Sequence, residues 1–329
     1  MYGTVADRGG RLKIRHGPAK HLGDGGLGPS GLPSRLSALR HGARHLPVVN
    51  NSSDTPDLSG LIEPGSHGSL ASYVKRIWAR REYVMHVPWN ELRSQQMNTV
   101  LGNLWHLFNP ILSIAVYAVI FGVVLKVDRG VDNFVAFLAV GVFVFSFTQK
   151  GVTTASQSLV KNRGLLRSIS FPRALLPMTS VITELLAFVP GLAVMLLTAL
   201  ITGESPRWSW LLIPVLIFFQ TILTMGGALL TARATSEFGD VKNVLPFLFR
   251  LLFYGSGVLF SVDAYLEDDS ALRLLFLVNP MFDLLEVYRW AMFGLRVELI
   301  EVAVLGAWTV GLMVAGVWWF RRGEATYGS

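Results

Sequence analysis

The sequence predicts an all-α integral membrane protein with six transmembrane helices, an N-terminal amphipathic helix in the membrane interface and a re-entrant outer helical hairpin. Composition is the first reason, because 51% of the residues are hydrophobic and 16% are charged, whereas soluble domains carry about 25% charged residues. The second reason is a series of apolar runs near the ~20 residues that cross a bilayer. The third is the concentration of Lys and Arg in alternate short loops, a pattern typical of multi-pass membrane proteins.

Residues 1–72 form a compositionally separate N-terminal tail. They hold 13 of the 32 glycines and 6 of the 15 prolines, with scattered basic residues. No apolar core follows the basic start, so the tail does not match a secretory signal. Because it cannot bury enough apolar surface to offset chain entropy, we expect it to be disordered. A regulatory tail, a dispensable extension and a misassigned start all fit this composition.

Residues 73–103 mix aromatic and basic side chains, as in "YVKRIWARREYVMHV". Such interleaving predicts a helix lying in the membrane interface; a soluble amphipathic helix packed on its own domain is the alternative. Gly102 then permits the chain to bend into the first span. Trp105 is placed for the headgroup belt, and Asn109-Pro110 is expected to kink the first turns of the span.

Residues 104–329 contain the six predicted spans, and each apolar run meets the length criterion if some tilt is allowed. Glu184 and Arg250 are the only charged residues within them. Charges at membrane depth are expensive, so we interpret both as structural pairing residues, and one solution is a Glu184–Arg250 pair. The runs cover residues 104–125, 134–149, 174–202, 208–232, 243–262 and 302–320.

The distribution of loop charges predicts the orientation. Loop 160–173 carries four cations and no acid, whereas residues 263–298 carry seven acids against three arginines. Lys and Arg are retained on the cytoplasmic side. Loops 160–173 and 233–243 and both termini are therefore predicted to be cytoplasmic, in a multi-pass protein of the plasma (inner) membrane. The net charge of +7 is explained by these loops, and no nucleic-acid partner is predicted.

The segment 271–295, "ALRLLFLVNPMFDLLEVYRWAMFGL", is apolar but interrupted by Asn279-Pro280. Asp283, Glu286 and Arg289 recur every three residues and therefore share one helix face. Proline divides the segment into two helices too short to span, which predicts a re-entrant hairpin entering from the outer face. Such backbone needs cover from protein or a wet cavity. Two helices lying flat on the outer surface are the alternative.

Motifs for chemistry are absent from the chain. No P-loop, H-E-x-x-H or G-x-S-x-G sequence occurs, so no nucleotide site, metal site or catalytic residue is predicted. The absence of cysteine excludes a disulfide framework, a thiol nucleophile and a thiolate metal site.

Three ordered motifs resemble the permeases of type-2 ABC exporters, in the branch that exports lipid-linked polysaccharides such as O-antigen, teichoic acid and mycobacterial galactan. They are "LGNLW" leading into Asn109-Pro110, "EFGDVKNVLPFLFRLLFYGSGVLF" at 237–260 and "VNPMFDLLEVYRW" at 278–290. The resemblance covers about residues 80–325. Two departures stand out: Gln95-Gln96-Met97 replaces an Arg-Tyr-Lys run that precedes the Leu-Gly in many relatives, and Ser256-Gly257 replaces a Ser-Pro break.

The resemblance implies a homodimer that encloses a channel between its first and fifth spans and moves a polyprenyl-diphosphate-linked glycan through the lipid membrane. Two copies of a separate ATPase would supply the energy, with ATP and Mg on that partner and no cofactor on this chain. Aromatic faces suit weak contact with sugars, and Phe249, Phe253 and Phe260 are spaced for one helix face. The channel candidates are Tyr117, Phe121, Phe249, Phe253, Tyr254 and Phe260.

The resemblance also implies a gate helix in loop 160–173, near the lipid-diphosphate headgroup, and a surface that receives the ATPase. The basic loop is equally suited to anionic lipids and to the positive-inside pattern alone. The gate candidates are Lys161, Arg163, Arg167 and Arg173, and the coupling candidates are Arg80, Arg81, Glu82, Glu237, Asp240 and Lys242.

Two other functions stay open at this point. A related permease exporting a drug or small lipid would share the fold. A membrane enzyme acting on polyprenyl-phosphate sugars would use Asp283 and Glu286 as its carboxylates.

Overall fold

The computed structural model describes residues 86–91, 104–120, 131, 133–168, 172–262, 271–324 and 327. Regular structure in this part of the chain is entirely helical. A short helical segment covers residues 86–91. The following helices are α1 (Trp105–Tyr117), α2 (Phe134–Ser156), α3 (Ser158–Lys161), α4 (Arg163–Ser168), α5 (Leu175–Ile201), a 3-10 helix (Trp208–Leu212), α6 (Ile213–Glu237), α7 (Val241–Tyr254), α8 (Ala271–Leu277), α9 (Pro280–Phe293) and α10 (Leu299–Arg322).

Four apolar helices are long enough to cross a bilayer, which confirms the predicted class and four of the six predicted runs. They are Phe134–Ser156, Leu175–Ile201, Trp208–Glu237 and Leu299–Arg322. The first predicted run is a shorter apolar helix, Leu107–Ile120, within the described residues. It continues through Pro110. That this helix and α7 also span the membrane stays a prediction.

The fifth predicted run is not helical along its whole length. Helix α7 ends at Tyr254, and the chain then turns through residues 255–260. Gly257 has a φ of 62°, a left-handed conformation that glycine adopts without steric cost. The prediction of one helix over 243–262 is therefore wrong beyond Tyr254. Gly255 is the C-cap residue of α7, so the Ser256-Gly257 pair lies beyond the helix end and is not a loosened point within a helix.

Helix α2 lies at the centre of the bundle, since 78% of its most apolar stretch is buried, against 22% for α10. A polar network ties it to α6 and α9. The Gln220 side-chain amide donates to Val144 O (2.8 Å) and to Thr148 Oγ1 (3.0 Å), and the Tyr288 hydroxyl donates to Gln220 Oε1 (2.9 Å). Hydrogen bonds between buried groups hold the three helices in one register.

Helices α6 and α10 approach each other at two glycines. A Cβ on Gly226 would lie 2.5 Å from the carbonyl carbon of Leu312, and one on Gly316 would lie 2.6 Å from Gly226 O. Small residues allow such close backbone approach between membrane helices. Close backbone packing at these two glycines therefore helps to hold the peripheral helix α10 against α6.

The chain from residue 271 to residue 293 forms two short helices, α8 and α9, as predicted from Asn279-Pro280. The Asn279 side chain caps α9 by accepting from Met281 N, and Pro280 occupies the first helical position, where its missing N–H is not needed. Gly294, with a φ of 72°, ends α9. Most of α9 is buried, which meets the requirement that re-entrant backbone be covered by protein. That this segment enters the membrane from the outer face stays a prediction.

Candidate functional site

An aromatic cluster joins α1 to α7, the two helices predicted to line a channel. The rings of Tyr117 and Phe253 lie 5.8 Å apart between centroids, and Phe253 lies 5.5 Å from Tyr254. Phe145 on α2 supports the cluster from behind, 5.2 Å from Phe253 and 6.2 Å from Phe249. The structure therefore brings four of the channel candidates together.

The channel candidates differ in accessibility. Tyr254 is 54% exposed and Phe249 only 5% exposed, so Phe249 is a core residue that a passing sugar cannot contact. The prediction that Phe260 shares a helix face with Phe249 and Phe253 is wrong, because Phe260 follows the end of α7 and packs on Phe276 at 6.4 Å. Phe121 lies outside the described residues.

The outward face of α7 is unusual for a membrane helix because it combines apolar and charged side chains. Phe247, Leu248 and Leu251 are exposed on the single chain. Arg250 is exposed between them, with its guanidinium 5.8 Å from the centroid of the Phe247 ring. Charged residues at membrane depth face protein or a water-filled cavity. The prediction that α7 spans the membrane therefore implies a neighbour other than lipid alone for this face.

Glu184 does not pair with Arg250. The Thr154 hydroxyl on α2 donates to Glu184 Oε1 (3.1 Å), and both Glu184 and Lys150 line a pocket between α1, α2 and α5. No ion pair of 4 Å or less joins Lys150 to Glu184. The predicted Glu184–Arg250 pair is therefore not formed, and Glu184 lies near Thr154 and Lys150 instead.

The predicted gate loop is two short helices, α3 and α4. The cations Lys161, Arg163 and Arg167 are exposed, and Leu166 is buried, so the segment is amphipathic as the sequence indicated. The structure thus presents three of the four gate cations on one surface segment.

The fourth gate candidate, Arg173, is held by the C-terminal tail. Its backbone N–H donates to the Glu324 carboxylate (3.0 Å), and its guanidinium donates to the Glu324 backbone carbonyl. The Tyr327 hydroxyl donates to Phe320 O (2.8 Å), with the Phe320 and Tyr327 rings 4.9 Å apart. We name Glu324 and Tyr327 the C-terminal strap. Burial is the largest cause that raises the pKa of Tyr327 above its ordinary value.

Three of the six predicted coupling residues, Glu237, Asp240 and Lys242, lie around a tight turn between α6 and α7. Glu237 ends α6 and accepts a hydrogen bond from Arg233 (2.8 Å), and the Arg233 guanidinium also reaches Trp319 O on α10. Asp240 and Lys242 are exposed beyond it. Arg80, Arg81 and Glu82 lie outside the described residues. The turn thus presents charged side chains on a rigid base.

Two residues of α9 bind the chain that follows α7. The Asn279 amide donates to Gly255 O (2.9 Å) and Ser256 Oγ (2.8 Å). Arg289 donates to Gly257 O (2.8 Å) and Val258 O (3.3 Å) and pairs with Glu286 at 2.9 Å. We name Asn279 and Arg289 the hairpin clamp. Unpaired carbonyls after a helix end are costly when buried, and the clamp satisfies them.

The Arg289 side of the clamp is completely enclosed, whereas Asn279 is half-buried. Arg289 is 0% exposed, and its guanidinium lies 3.5 Å from the centroid of the Phe137 ring on α2. Gly141 leaves the space for it, since a Cβ there would lie 3.0 Å from Val258 O. The small residue Gly141 on α2 thus makes room for the charged Arg289 on α9.

Asp283 differs from its neighbours on the shared helix face. It is fully buried, and neither carboxylate oxygen has a hydrogen-bond partner. An isolated buried carboxylate is strongly disfavoured, and the neutral acid is the form that such a site holds. Among the described residues, no group of three His, Asp or Glu is arranged to hold a metal ion. The face predicted from the three-residue spacing is therefore a packing face inside the protein.

Sequence reasoning missed three contributors to these sites: Phe145, Lys150 with its pocket, and the C-terminal strap. Lys150 carried a usable signal, because it is a charged residue directly following an apolar run. The strap carried none. Glu324 and Tyr327 lie in a polar tail, and the contact of Glu324 with Arg173 joins residues that are 151 apart in sequence.

Comparison with known proteins matches this architecture to one family. Residues 84–293 match the ABC-2 type transporter family. The chain is 29% identical over 216 residues to the O-antigen export system permease protein RfbA of Myxococcus xanthus, covering 66% of this chain and 82% of that protein. It is 27% identical over 181 residues to the protein of the same name from Klebsiella pneumoniae, covering 55% of this chain and 69% of that protein. The chain, with several apolar helices long enough to cross a membrane, therefore belongs to the ABC-2 type transporters as a multi-pass permease subunit.

Proposed function

We propose that this chain is the channel-forming subunit of an ATP-driven exporter that moves a polyprenyl-diphosphate-linked polysaccharide from the cytoplasm to the outer face of the plasma membrane. Relatives named as O-antigen export permeases support this cargo class. Two copies of the chain enclose the path, and two copies of a separate ATPase supply the energy.

The observation that carries the proposal is the face of α7. It exposes Leu251, Tyr254 and the charged Arg250 together on the single chain. A second copy across a wet passage surrounds Arg250 and the side chains beside it with water and protein instead of lipid. Tyr117 and Phe253, in contact at 5.8 Å, supply aromatic surface beside the same path. Aromatic faces contact sugar CH groups without requiring one hydroxyl pattern.

The cytoplasmic ends of the helices supply the remaining functions. The exposed cations Lys161, Arg163 and Arg167 attract the diphosphate headgroup, while Arg173 is engaged by the C-terminal strap. Asp240 and Lys242 lie on the exposed turn after α6 and provide the docking surface for the ATPase. Arg233 braces this turn against α10, so force applied there moves α6, α7 and α10 together.

Depletion of the protein in its own cell tests the cargo. Lipid-linked glycan should accumulate inside, the surface polymer should fall, and the purified chain alone should hydrolyse no ATP. Normal surface polymer after depletion would refute the proposal. Accumulation of a small lipid or sensitivity to a drug, with normal glycan, would identify the alternative cargo of a related exporter.

The cysteine-free sequence allows a direct test of the path. Leu251→Cys on α7 and Val310→Cys on α10 are similarly exposed, at 72% and 64%. A membrane-impermeant maleimide should label only the α7 position, and a bifunctional thiol cross-linker should join two copies only through it. Equal behaviour of the two positions contradicts a wet dimer interface at α7.

The structure does not favour the enzyme alternative. Asp283 is fully buried and Glu286 nearly so, so a polyprenyl-phosphate sugar has no access to the two carboxylates. A general acid or base must come within hydrogen-bond reach of its substrate.

A further inference from the structure

A pocket between α1, α2 and α5 holds two opposite charges that do not neutralise each other directly. Lys150 and Glu184 both line it, yet no ion pair of 4 Å or less joins them. The Lys150 ammonium has no hydrogen-bond partner within the described ranges. One oxygen of Glu184 accepts from Thr154 (3.1 Å). Charges at membrane depth are costly unless each has a partner. A ligand that binds both side chains would supply those partners.

The remaining walls of the pocket are suited to an amphiphile. Its floor consists of the buried rings of Phe143, Phe147 and Phe188, with Phe147 and Phe188 stacked at 5.2 Å. Pro110 closes the side formed by α1. Lys150, Ser146 and Ala187 are only half-buried, so the pocket can be reached from outside the bundle. The enclosed space is about 20 Å³, room for one small polar group.

The pocket lies toward one end of the bundle. Lys150 precedes the end of α2 at Ser156 by 156 − 150 = 6 residues, about 9 Å at ~1.5 Å per residue. Glu184 follows the start of α5 at Leu175 by 184 − 175 = 9 residues, about 14 Å by the same rise. If the ~30 Å hydrocarbon core is centred on helices of 23 and 27 residues, both groups lie roughly 7–8 Å inside its edge. From this depth the lysine stem extends toward the headgroups.

From these observations we infer that the Lys150–Glu184 pocket binds a lipid whose head carries a phosphate next to a hydroxyl or ammonium donor. Lys150 binds the phosphate at the mouth of the pocket, Glu184 accepts from the donor group beside it, and the tail stays outside the pocket in the bilayer. A bilayer phospholipid and the lipid-linked cargo both present this chemistry. The inference rests on membrane embedding and does not require the proposed cargo to be correct.

Thermal unfolding of the purified full-length chain in neutral detergent tests the site. The probes are phosphatidylglycerol and phosphatidylethanolamine, which have donors, phosphatidylcholine, which has a phosphate but no donor, and a polyprenyl-diphosphate sugar. We expect the first two to raise the unfolding midpoint more than phosphatidylcholine does. Lys150→Gln and Glu184→Gln should each weaken lipid binding about tenfold, the loss of one charge-assisted hydrogen bond. Arg296→Gln, at an exposed cation, should not.

Each outcome either supports or overturns the inference that the pocket binds a lipid head. A shift by the polyprenyl-diphosphate sugar alone, lost in Lys150→Gln, supports the site and assigns it to the cargo. Shifts that survive both charge substitutions, or no shift by any probe, overturn it. If the charge variants fail to fold, Ala187→Phe fills the pocket with both charges retained, and lipid stabilisation that persists in this variant also overturns the inference. No transport is measured, so failure of the proposed export function leaves the result interpretable.

Discussion

Replacing Arg289 by methionine should cause the largest loss of stability of any single substitution in the hairpin clamp. The guanidinium is fully buried, pairs with Glu286 at 2.9 Å, and donates to Gly257 O and Val258 O. Methionine fills similar volume but makes none of these bonds. Removing one partner of a buried ion pair costs about 3–5 kcal/mol, because the remaining charge is left without compensation.

The measurement is the folded fraction of the purified chain against sodium dodecyl sulfate in mixed micelles. A double-mutant cycle with Glu286→Gln isolates the pair. Glu286→Gln/Arg289→Met should lose less stability than the sum of the two single variants, since the double variant buries no unpaired charge. Arg289→Lys should fall between methionine and arginine, because an ammonium cannot reproduce the planar guanidinium donors.

Arg296→Met is the matched control, because Arg296 is 78% exposed and surface substitutions change stability by about 0.5 kcal/mol or less. If Arg289→Met unfolds at the same detergent concentration as the parent, or if the cycle is additive, Arg289 does not hold the chain after α7, and the clamp is refuted.

Three further predictions use the same unfolding assay. Asp283→Asn should retain or raise stability, because neither carboxylate oxygen of Asp283 accepts a hydrogen bond and burial penalises the charged form; a loss comparable to that of Arg289→Met would contradict this. Gly226→Ala should cost about 1–3 kcal/mol by overpacking, since its Cβ would lie 2.5 Å from the Leu312 carbonyl carbon, whereas Gly306→Ala, with nothing within 4 Å, should be neutral or better; equal effects would show that α6 and α10 do not pack closely there. The pKa of Tyr327 is raised above its ordinary value of 10.0, so the folded chain holds the phenol proton more tightly, and this contribution to stability should be present below pH 10.0 and fall as pH rises beyond it. Tyr327→Phe should remove that alkaline decrease and cost about 1 kcal/mol at neutral pH through the lost bond to Phe320 O; an unchanged alkaline profile would show that Tyr327 is not held as described.

Local features of the chain were predictable because their causes lie within a few residues. The apolar runs that became α2, α5, α6 and α10 follow from composition and length alone. The break at Asn279-Pro280 follows from the fixed φ and missing N–H of proline. The amphipathic character of the gate loop is likewise a matter of spacing. In contrast, the end of α7 at Tyr254 is followed by a turn with Gly257 at positive φ, and the hairpin clamp binds this turn from another element.

Partners of the buried charges were not predictable, because each is brought by a distant segment. Arg289 reaches Val258 O from 31 residues away. Glu184 has Thr154 and Lys150 as neighbours rather than Arg250, the one partner that the sequence suggested.

By itself, the sequence determined that this is a helical membrane protein, where most of its helices lie, and that the segment 271–295 breaks at Asn279-Pro280. Only the tertiary structure decided that the Asp283, Glu286 and Arg289 face is buried packing, that the C-terminal strap holds Arg173, and that Lys150 and Glu184 share a pocket. The physical reason is that hydrophobic length and backbone geometry are properties of consecutive residues. The environment of a charge is set by whichever helices pack around it.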